Sequence, residues 1–231
     1  MFVKICGVTN EEDALMAIAF GADAIGFVFA PSKRQVKMTA AREIASRLPQ
    51  EILTVGVFRD QSTKSVIDTV QSAGLRGAQL HGHETPEDAD AIRPYAQVLI
   101  VAFAAGDPGL LHVDDYGADA VLLDSHAPGS GELFDWSLTE GAPMNRRLIL
   151  AGGLTPDNVA VGISEVRPWG VDVSTGVEVD GDPSRKDPRK VQAFIRNAKL
   201  AGEALERRQA SSGDGGDVDT PGPFDWSDSG L

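Results

Sequence analysis

Short apolar runs separated by amphipathic stretches recur along most of the chain. The first, Val3-Lys4-Ile5-Cys6-Gly7, alternates: as a strand it points Val3 and Ile5 one way and Lys4 and Cys6 the other. The runs Ala24 to Phe29, Leu53 to Phe58, Ala78 to His81, Val98 to Phe103, Ala120 to Asp124, Leu148 to Ala151 and Val171 to Ser174 are mostly continuous in apolar character. Strands buried on both faces read that way. Helical signals lie between them. Asn10-Glu11-Glu12-Asp13 offers a cap and an acidic first turn, with Ala14, Ile18 and Ala19 at helical spacing and a stop at Gly21. Thr39 to Leu48 reads as a helix halted by Pro49, and Ser62 to Ala73 as one halted by Gly74. Thr85-Pro86-Glu87-Asp88 opens another with proline in its first turn. Thr155-Pro156-Asp157-Asn158 starts one with Val159, Ile163 and Val166 as its apolar stripe, and Lys190 to Leu205 is a long final helix. The pattern is weakest around Leu110 to Tyr116 and after Phe134-Asp135-Trp136.

The strand ends fall near residues 6, 29, 58, 81, 103, 124, 151 and 174. Each interval fits one strand, one helix and two loops. Eight such units mean an α/β protein with an all-parallel sheet covered by helices. An open doubly wound sheet is the competing architecture, but eight units in this length favour closure into a single (β/α)8 TIM barrel over residues 1–206. From Gln209 onward the chain holds five aspartates, no lysine or arginine, and many Gly, Ser and Pro residues. Such a stretch buries too little apolar surface to offset its ordering entropy, so residues 207–231 are expected to be a disordered acidic tail. Within it Phe224-Asp225-Trp226-Ser227 repeats Phe134-Asp135-Trp136-Ser137, by coincidence or as a docking segment for a neighbouring molecule.

Composition narrows the function classes. The chain of 231 residues has a formal net charge of −13, which argues against nucleic acid and anionic lipid as partners. A single cysteine excludes an internal disulfide framework and fits a reducing, cytoplasmic location. No basic start precedes a long apolar segment, so neither a signal peptide nor a membrane span is expected. An anionic substrate would have to be held locally, against the global field.

Barrel enzymes place their chemistry at the carboxyl ends of the strands. Here those ends carry Cys6, His81, Asp124 and Asp172: a thiol, an imidazole and two carboxylates. Most free cysteines are small buried hydrophobes. A lysine on the same strand face and a glycine directly after make Cys6 unusual for that role. Asp124 could simply cap the next loop, whereas in a partly dry mouth a carboxyl suits a general acid. His81 reads as a hydrogen-bonding wall of the pocket. Four scattered histidines without ligand spacing point away from a metal. Gly152 and Gly153 after the seventh strand, and Ser174, Thr175 and Gly176 after the eighth, expose backbone N–H groups suited to a phosphate. Arg34, after the second strand, has the planar fork that suits a carboxylate.

Lys4-Ile5-Cys6-Gly7, Val55-Gly56-Val57-Phe58, Gln79-Leu80-His81-Gly82, Asp124-Ser125, Phe134-Asp135-Trp136, Leu150-Ala151-Gly152-Gly153-Leu154 and Asp172-Val173-Ser174-Thr175-Gly176-Val177-Glu178, in this order, resemble the phosphoribosylanthranilate isomerase family over roughly residues 1 to 200. The resemblance implies the third chemical step of tryptophan biosynthesis, without cofactor or metal. N-(5-phosphoribosyl)anthranilate, a small-molecule substrate, would undergo an Amadori rearrangement to 1-(2-carboxyphenylamino)-1-deoxyribulose 5-phosphate. It implies Asp124 as the acid that opens the furanose ring and Cys6, as thiolate, as the base that removes the C2′ proton. Arg34 would take the anthranilate carboxylate, and the glycines after strands 7 and 8 the phosphate. Lys4 and Asp172 are expected to pair inside the barrel, and the site to assist ionisation of the thiol. A monomer or homodimer is expected. Pro128-Gly129-Ser130-Gly131 departs from the family's usual loop after strand 6, Thr175 replaces the more usual serine, and no aromatic follows Arg34. The rivals are a dual-substrate phosphoribosyl isomerase that also serves histidine biosynthesis, disfavoured because such barrels use aspartate where Cys6 stands, and a non-catalytic phosphosugar-binding barrel, which would need neither Cys6 nor Asp124.

Overall fold

Eight parallel strands close into a barrel in chain order, in a computed structural model that describes residues 1–124 and 147–211. They are β1 (Phe2–Cys6), β2 (Ala24–Val28), β3 (Leu53–Phe58), β4 (Gly77–Leu80), β5 (Val98–Ala104), β6 (Ala120–Asp124), β7 (Arg147–Leu150) and β8 (Gly170–Val173). Every strand end lies within one residue of the position expected from the apolar runs. Lys4 stands opposite Ala24 on β2 and opposite Asp172 on β8, so β1 closes the ring.

Buried apolar side chains sort into two sets along each strand, as alternation demands. Val3, Ile5, Ile25, Phe27, Leu99, Val121, Leu123, Val171 and Val173 pack with helix residues such as Ala14, Ala17, Val66, Val70 and Phe194. Phe2, Ala24, Leu53, Val55, Val98, Ile100, Leu122 and Ile149 pack with one another and with no helix, which makes them the lumen. Lys4 and Cys6 share the parity of Phe2, Asp172 that of Gly170, and Asp124 that of Leu122. All four therefore face inward.

The helices are α1 (Glu11–Ala19), α2 (Met38–Ala45), α3 (Thr63–Ala73), α4 (Pro86–Ile92), α5 (Val159–Val166) and α6 (Pro188–Ser211). Their starts follow local chemistry. Asn10 accepts from the Asp13 N–H, Ser62 from the Ser65 N–H, and Thr85 with Asp88 forms a reciprocal capping box. The weak fifth unit is a 3₁₀ helix, Pro108–Tyr116, broken at His112. Its buried residues, Leu110 and Val113, are three apart, which fits a three-residue turn better than an α-helical stripe. Thr155 to Asn158 is a lead-in rather than a first turn: Asn158 accepts from the Thr155 N–H at 2.7 Å and donates to the Gly153 carbonyl at 3.0 Å. The final helix runs further at both ends than Lys190 to Leu205. A short antiparallel pair not expected from the sequence, β9 (Glu178–Val179) and β10 (Asp182–Lys186), follows β8. The helix expected after Phe134-Asp135-Trp136, the loop Pro128-Gly129-Ser130-Gly131 and the acidic stretch from residue 212 lie outside the described residues.

Candidate active site

Cys6 ends β1 on the lumen face, 7% exposed. A Cβ built on Gly26 of β2 would fall 2.9 Å from Cys6 Sγ and 3.1 Å from Lys4 Nζ, so sulfur and ammonium share the space that glycine leaves open. Lys4 Nζ donates to Asp172 Oδ1 at 3.0 Å, the pairing expected from strand parity and neighbouring position. Burial works against the Lys4 ammonium, yet Asp172 and the Cys6 sulfur hold it above the ordinary lysine value. For Cys6 burial wins. It pushes the thiol up, Lys4 and Lys186 pull it back, and Asp172 adds to the rise. The expected assistance to ionisation is present, but it only moderates the cost of a dry site.

Asp124 ends β6, and its side chain keeps 25% exposure. His81, one residue past β4, brings Nε2 to 3.2 Å from Asp124 Oδ2. The Gln79 amide nitrogen lies 2.9 Å from His81 Nδ1. An amide N–H donating to Nδ1 leaves the ring proton on Nε2, aimed at the carboxylate. His81, expected as a hydrogen-bonding wall of the pocket, thus faces Asp124 within hydrogen-bond distance. The Gln79 side-chain oxygen is buried with no hydrogen-bond partner among the described residues.

The loops after β7 and β8 meet each other. A Cβ on Gly176 would lie 1.9 Å from the Leu154 carbonyl oxygen, a contact only glycine permits. Gly152 and Gly153 both have positive φ, 79° and 64°, which turns the chain sharply out of β7. Neither of their N–H groups has an acceptor among the described residues. Ser174 and Thr175 complete the rim. Backbone N–H groups left open in such loops are chemically suited to an anion.

Arg34 arrives from the loop after β2, where Gln35 bridges back to Val28 and donates to the Phe29 carbonyl at 2.9 Å. The aliphatic stem of Arg34 lies across Gly7, whose added Cβ would be 2.5 Å from Arg34 Cδ. Arg34 Nε and Nη2 grip both carboxylate oxygens of Glu178, and Nη2 also donates to Thr175 Oγ1 at 3.0 Å. Arg34 Nη1 has no partner among the described residues and remains for a ligand. Lys33 beside it is exposed.

Sequence reading passed over two members of this cluster, Glu178 and Lys186. Lys186 is fully buried, with Nζ 3.1 Å from the Ser174 carbonyl and 3.3 Å from Glu178 Oε1. The available signal was Asp180-Gly181, a hairpin-turn dipeptide, with Gly181 at φ 81°. Among the described residues no three His, Cys, Asp or Glu side chains gather as metal ligands.

Residues 3–197 match the family model described as N-(5'phosphoribosyl)anthranilate (PRA) isomerase. The chain is 46% identical over 210 residues to the N-(5'-phosphoribosyl)anthranilate isomerase of Desulforudis audaxviator, covering 88% of this chain and 98% of that one. A crystal structure of phosphoribosyl anthranilate isomerase from Thermus thermophilus superposes with a TM-score of 0.79 at 40% identity, over 87% of this chain and 99% of that one. Another, of a phosphoribosyl anthranilate isomerase in complex with reduced 1-(o-carboxyphenylamino)-1-deoxyribulose 5-phosphate, gives 0.76 at 39% identity, over 87% and 99%.

Proposed function

The chain belongs to the N-(5'-phosphoribosyl)anthranilate isomerase family, and we propose that Cys6 and Asp124 are the base and acid with which it rearranges that substrate. The reaction is the Amadori conversion of an aminoaldose to an aminoketose in tryptophan biosynthesis. Asp124 gives its proton to the furanose ring oxygen, and the ring C–O bond breaks as the anilino nitrogen forms a Schiff base with C1′. The cationic nitrogen acidifies the C2′ proton, which the Cys6 thiolate removes. The electron pair moves to the nitrogen and leaves an enol, which collapses to the ketone of 1-(2-carboxyphenylamino)-1-deoxyribulose 5-phosphate. Both steps are proton transfers and need no covalent intermediate.

The observation that carries this reading is the shared inward parity of Cys6 and Asp124 at the carboxyl ends of β1 and β6. His81, on β4's side of the mouth, keeps the carboxylic group oriented between turnovers. The turns at Gly152, Gly153, Ser174, Thr175 and Gly176 seat the 5′-phosphate, and Arg34 Nη1 takes the anthranilate carboxylate. Asp172 acts through Lys4 rather than on substrate. The same proposal has the barrel of residues 1–206 working in the cytoplasm, as a monomer or homodimer, without help from the acidic stretch 207–231. Among the described residues no helix is long and apolar enough to cross a membrane.

Turnover of phosphoribosylanthranilate by the wild-type chain, Cys6→Ser and Asp124→Asn tests the assignment. Wild-type turnover with both variants reduced by at least about a thousandfold supports it, on the scale expected when a sole acid or base is lost. Full activity in either variant removes that residue from its role.

A further inference from the structure

Hairpin β9–β10 carries one buried ammonium, Lys186, into the barrel mouth. The hairpin is fastened to the loop that follows Cys6 and to the first turn of α1. The Lys186 N–H donates to Asp13 Oδ2 at 2.9 Å, and Thr9 Oγ1 donates to the Ser184 carbonyl at 2.6 Å. A lysine that served only to staple the hairpin could do so with its ammonium in water. Here the whole side chain is dry, which is costly unless opposite charge surrounds it.

The surrounding charges do not balance. Lys186 Nζ bonds the Ser174 carbonyl, and Ser174 follows Val173, the β8 partner of Ile5, with its Oγ 2.9 Å from a Cβ built on Gly7, so the ammonium sits at the strand end beside Cys6. The charged groups at this corner are Lys4 from β1, Asp172 from β8, Glu178 from β9, Lys186 from β10 and Arg34 from the loop after β2. Three cations face two carboxylates. Asp172 is taken by Lys4, and Glu178 is divided between Arg34 and Lys186. Asp13 is occupied by Asn10, by the Lys186 N–H and by Arg185 at 3.6 Å. Asp124, across the mouth, pairs with His81. One positive charge is left over in a cluster where Lys4 and Lys186 are dry and only Arg34 reaches water, and Cys6 is the member that can supply the missing negative one. Burial draws Lys186 below the ordinary lysine value, against the pull of Glu178 and of the Cys6 sulfur.

We propose that Lys186 is a positioning residue for the isomerisation: its ammonium stabilises Cys6 as the thiolate while its bond to the Ser174 carbonyl fixes the turn after β8. This rests on Cys6 being the base, but its test does not need turnover. Cys6 is the only cysteine, so the ultraviolet absorbance of the thiolate, followed against pH with Cys6→Ser as the blank for the two tyrosines, reports on that sulfur. Lys186→Met is expected to raise the midpoint by about one pH unit, a tenfold loss of thiolate near neutrality. The base limb of the kcat/KM profile should move up with it, and Lys186→Arg should restore most of the shift. Glu178→Gln, which frees Lys186 and Arg34 from their shared carboxylate, should lower the midpoint.

An unmoved midpoint in soluble Lys186→Met overturns the proposal, including the case in which inhibition by inorganic phosphate weakens and Lys186 serves the phosphate instead. Where Lys186→Met fails to fold, Glu178→Gln decides, and a midpoint that does not fall overturns it. Full turnover by Cys6→Ser would be a failure of the base assignment, separable from these results because the absorbance titration is read without substrate.

Discussion

Lys4 Nζ and Asp172 Oδ1 sit 3.0 Å apart at matching register on the first and last strands of the ring, and the lysine has no exposed surface. The pair spans the seam where the barrel closes. Lys4→Met alone strands the Asp172 carboxylate in the lumen, and Asp172→Asn strands the ammonium. Each should cost about 3–5 kcal/mol of stability in urea unfolding, the usual penalty for breaking a buried pair. Lys4→Met with Asp172→Leu removes both charges and should recover most of that loss. It should not recover activity, because Lys4 also supports the sulfur next to it.

Gln79 is the quiet member of the support around Asp124, the proposed acid. It sits 1% exposed in the lumen, and its amide sets which ring nitrogen of His81 carries the proton. Gln79→Leu removes that donor and frees the ring to turn Nε2 away from Asp124. We expect kcat to fall roughly tenfold, the worth of one neutral hydrogen bond, with KM little changed. His81→Ala should do at least as much, and combining it with Gln79→Leu should add little, since both act through the same bond. A full additive loss in the double variant would mean that Gln79 acts on something other than His81.

Strand periodicity told most of this fold in advance because a parallel strand is mostly apolar on both faces, and the strands here follow that rule apart from inward residues such as Lys4, Gln79 and Asp172. It could also place Lys4, Cys6, Asp124 and Asp172 on one face, since parity within a strand is fixed by two-residue alternation. It could not say what Arg34 would touch. The partner, Glu178, is distant in sequence and reaches it only because the chain doubles back after β8. Lys186 was hidden for the same reason: Arg185-Lys186-Asp187 looks like a solvated charge run, and only the tie to Asp13 turns the lysine inward. The 3₁₀ segment at Pro108–Tyr116 was legible as a weakness but not as a structure, because its apolar residues fit neither period cleanly.

Gly176 and Gly117 separate the proposed phosphate seat from ordinary glycine strain. A methyl group on Gly176 collides with the Leu154 carbonyl and must push the loops after β7 and β8 apart. Gly176→Ala should raise KM for the phosphorylated substrate by roughly tenfold or more, matching the loss of one charge-assisted hydrogen bond. Gly117 has φ 56° and open space around its would-be Cβ. Gly117→Ala should therefore cost about 1 kcal/mol of stability from the left-handed backbone and leave KM unchanged. Steady-state kinetics beside urea unfolding would distinguish the two, and equal KM values would place the phosphate elsewhere.

Glu178 gives the barrel a specific sensitivity to acid. Burial raises its carboxyl, but the Arg34 guanidinium and Lys186 outweigh that and hold it below the ordinary glutamate value. A carboxyl depressed in the folded state contributes stability that is fully present above its unfolded value. That stability is lost as pH falls through the depressed folded value. The loss should therefore begin as pH falls to the ordinary glutamate value and continue through the depressed one, while neutral solution is unaffected. Glu178→Gln should be less stable than wild type by about 2 kcal/mol at neutral pH, the scale of a charge-assisted hydrogen bond. The two stability curves should then converge as pH drops, because protonation removes from the wild type what the substitution removed from the variant. Unfolding midpoints measured from neutral pH down into that range test the sign directly. Curves that diverge in acid would mean that Arg34 and Lys186 do not hold the carboxylate as the structure has them.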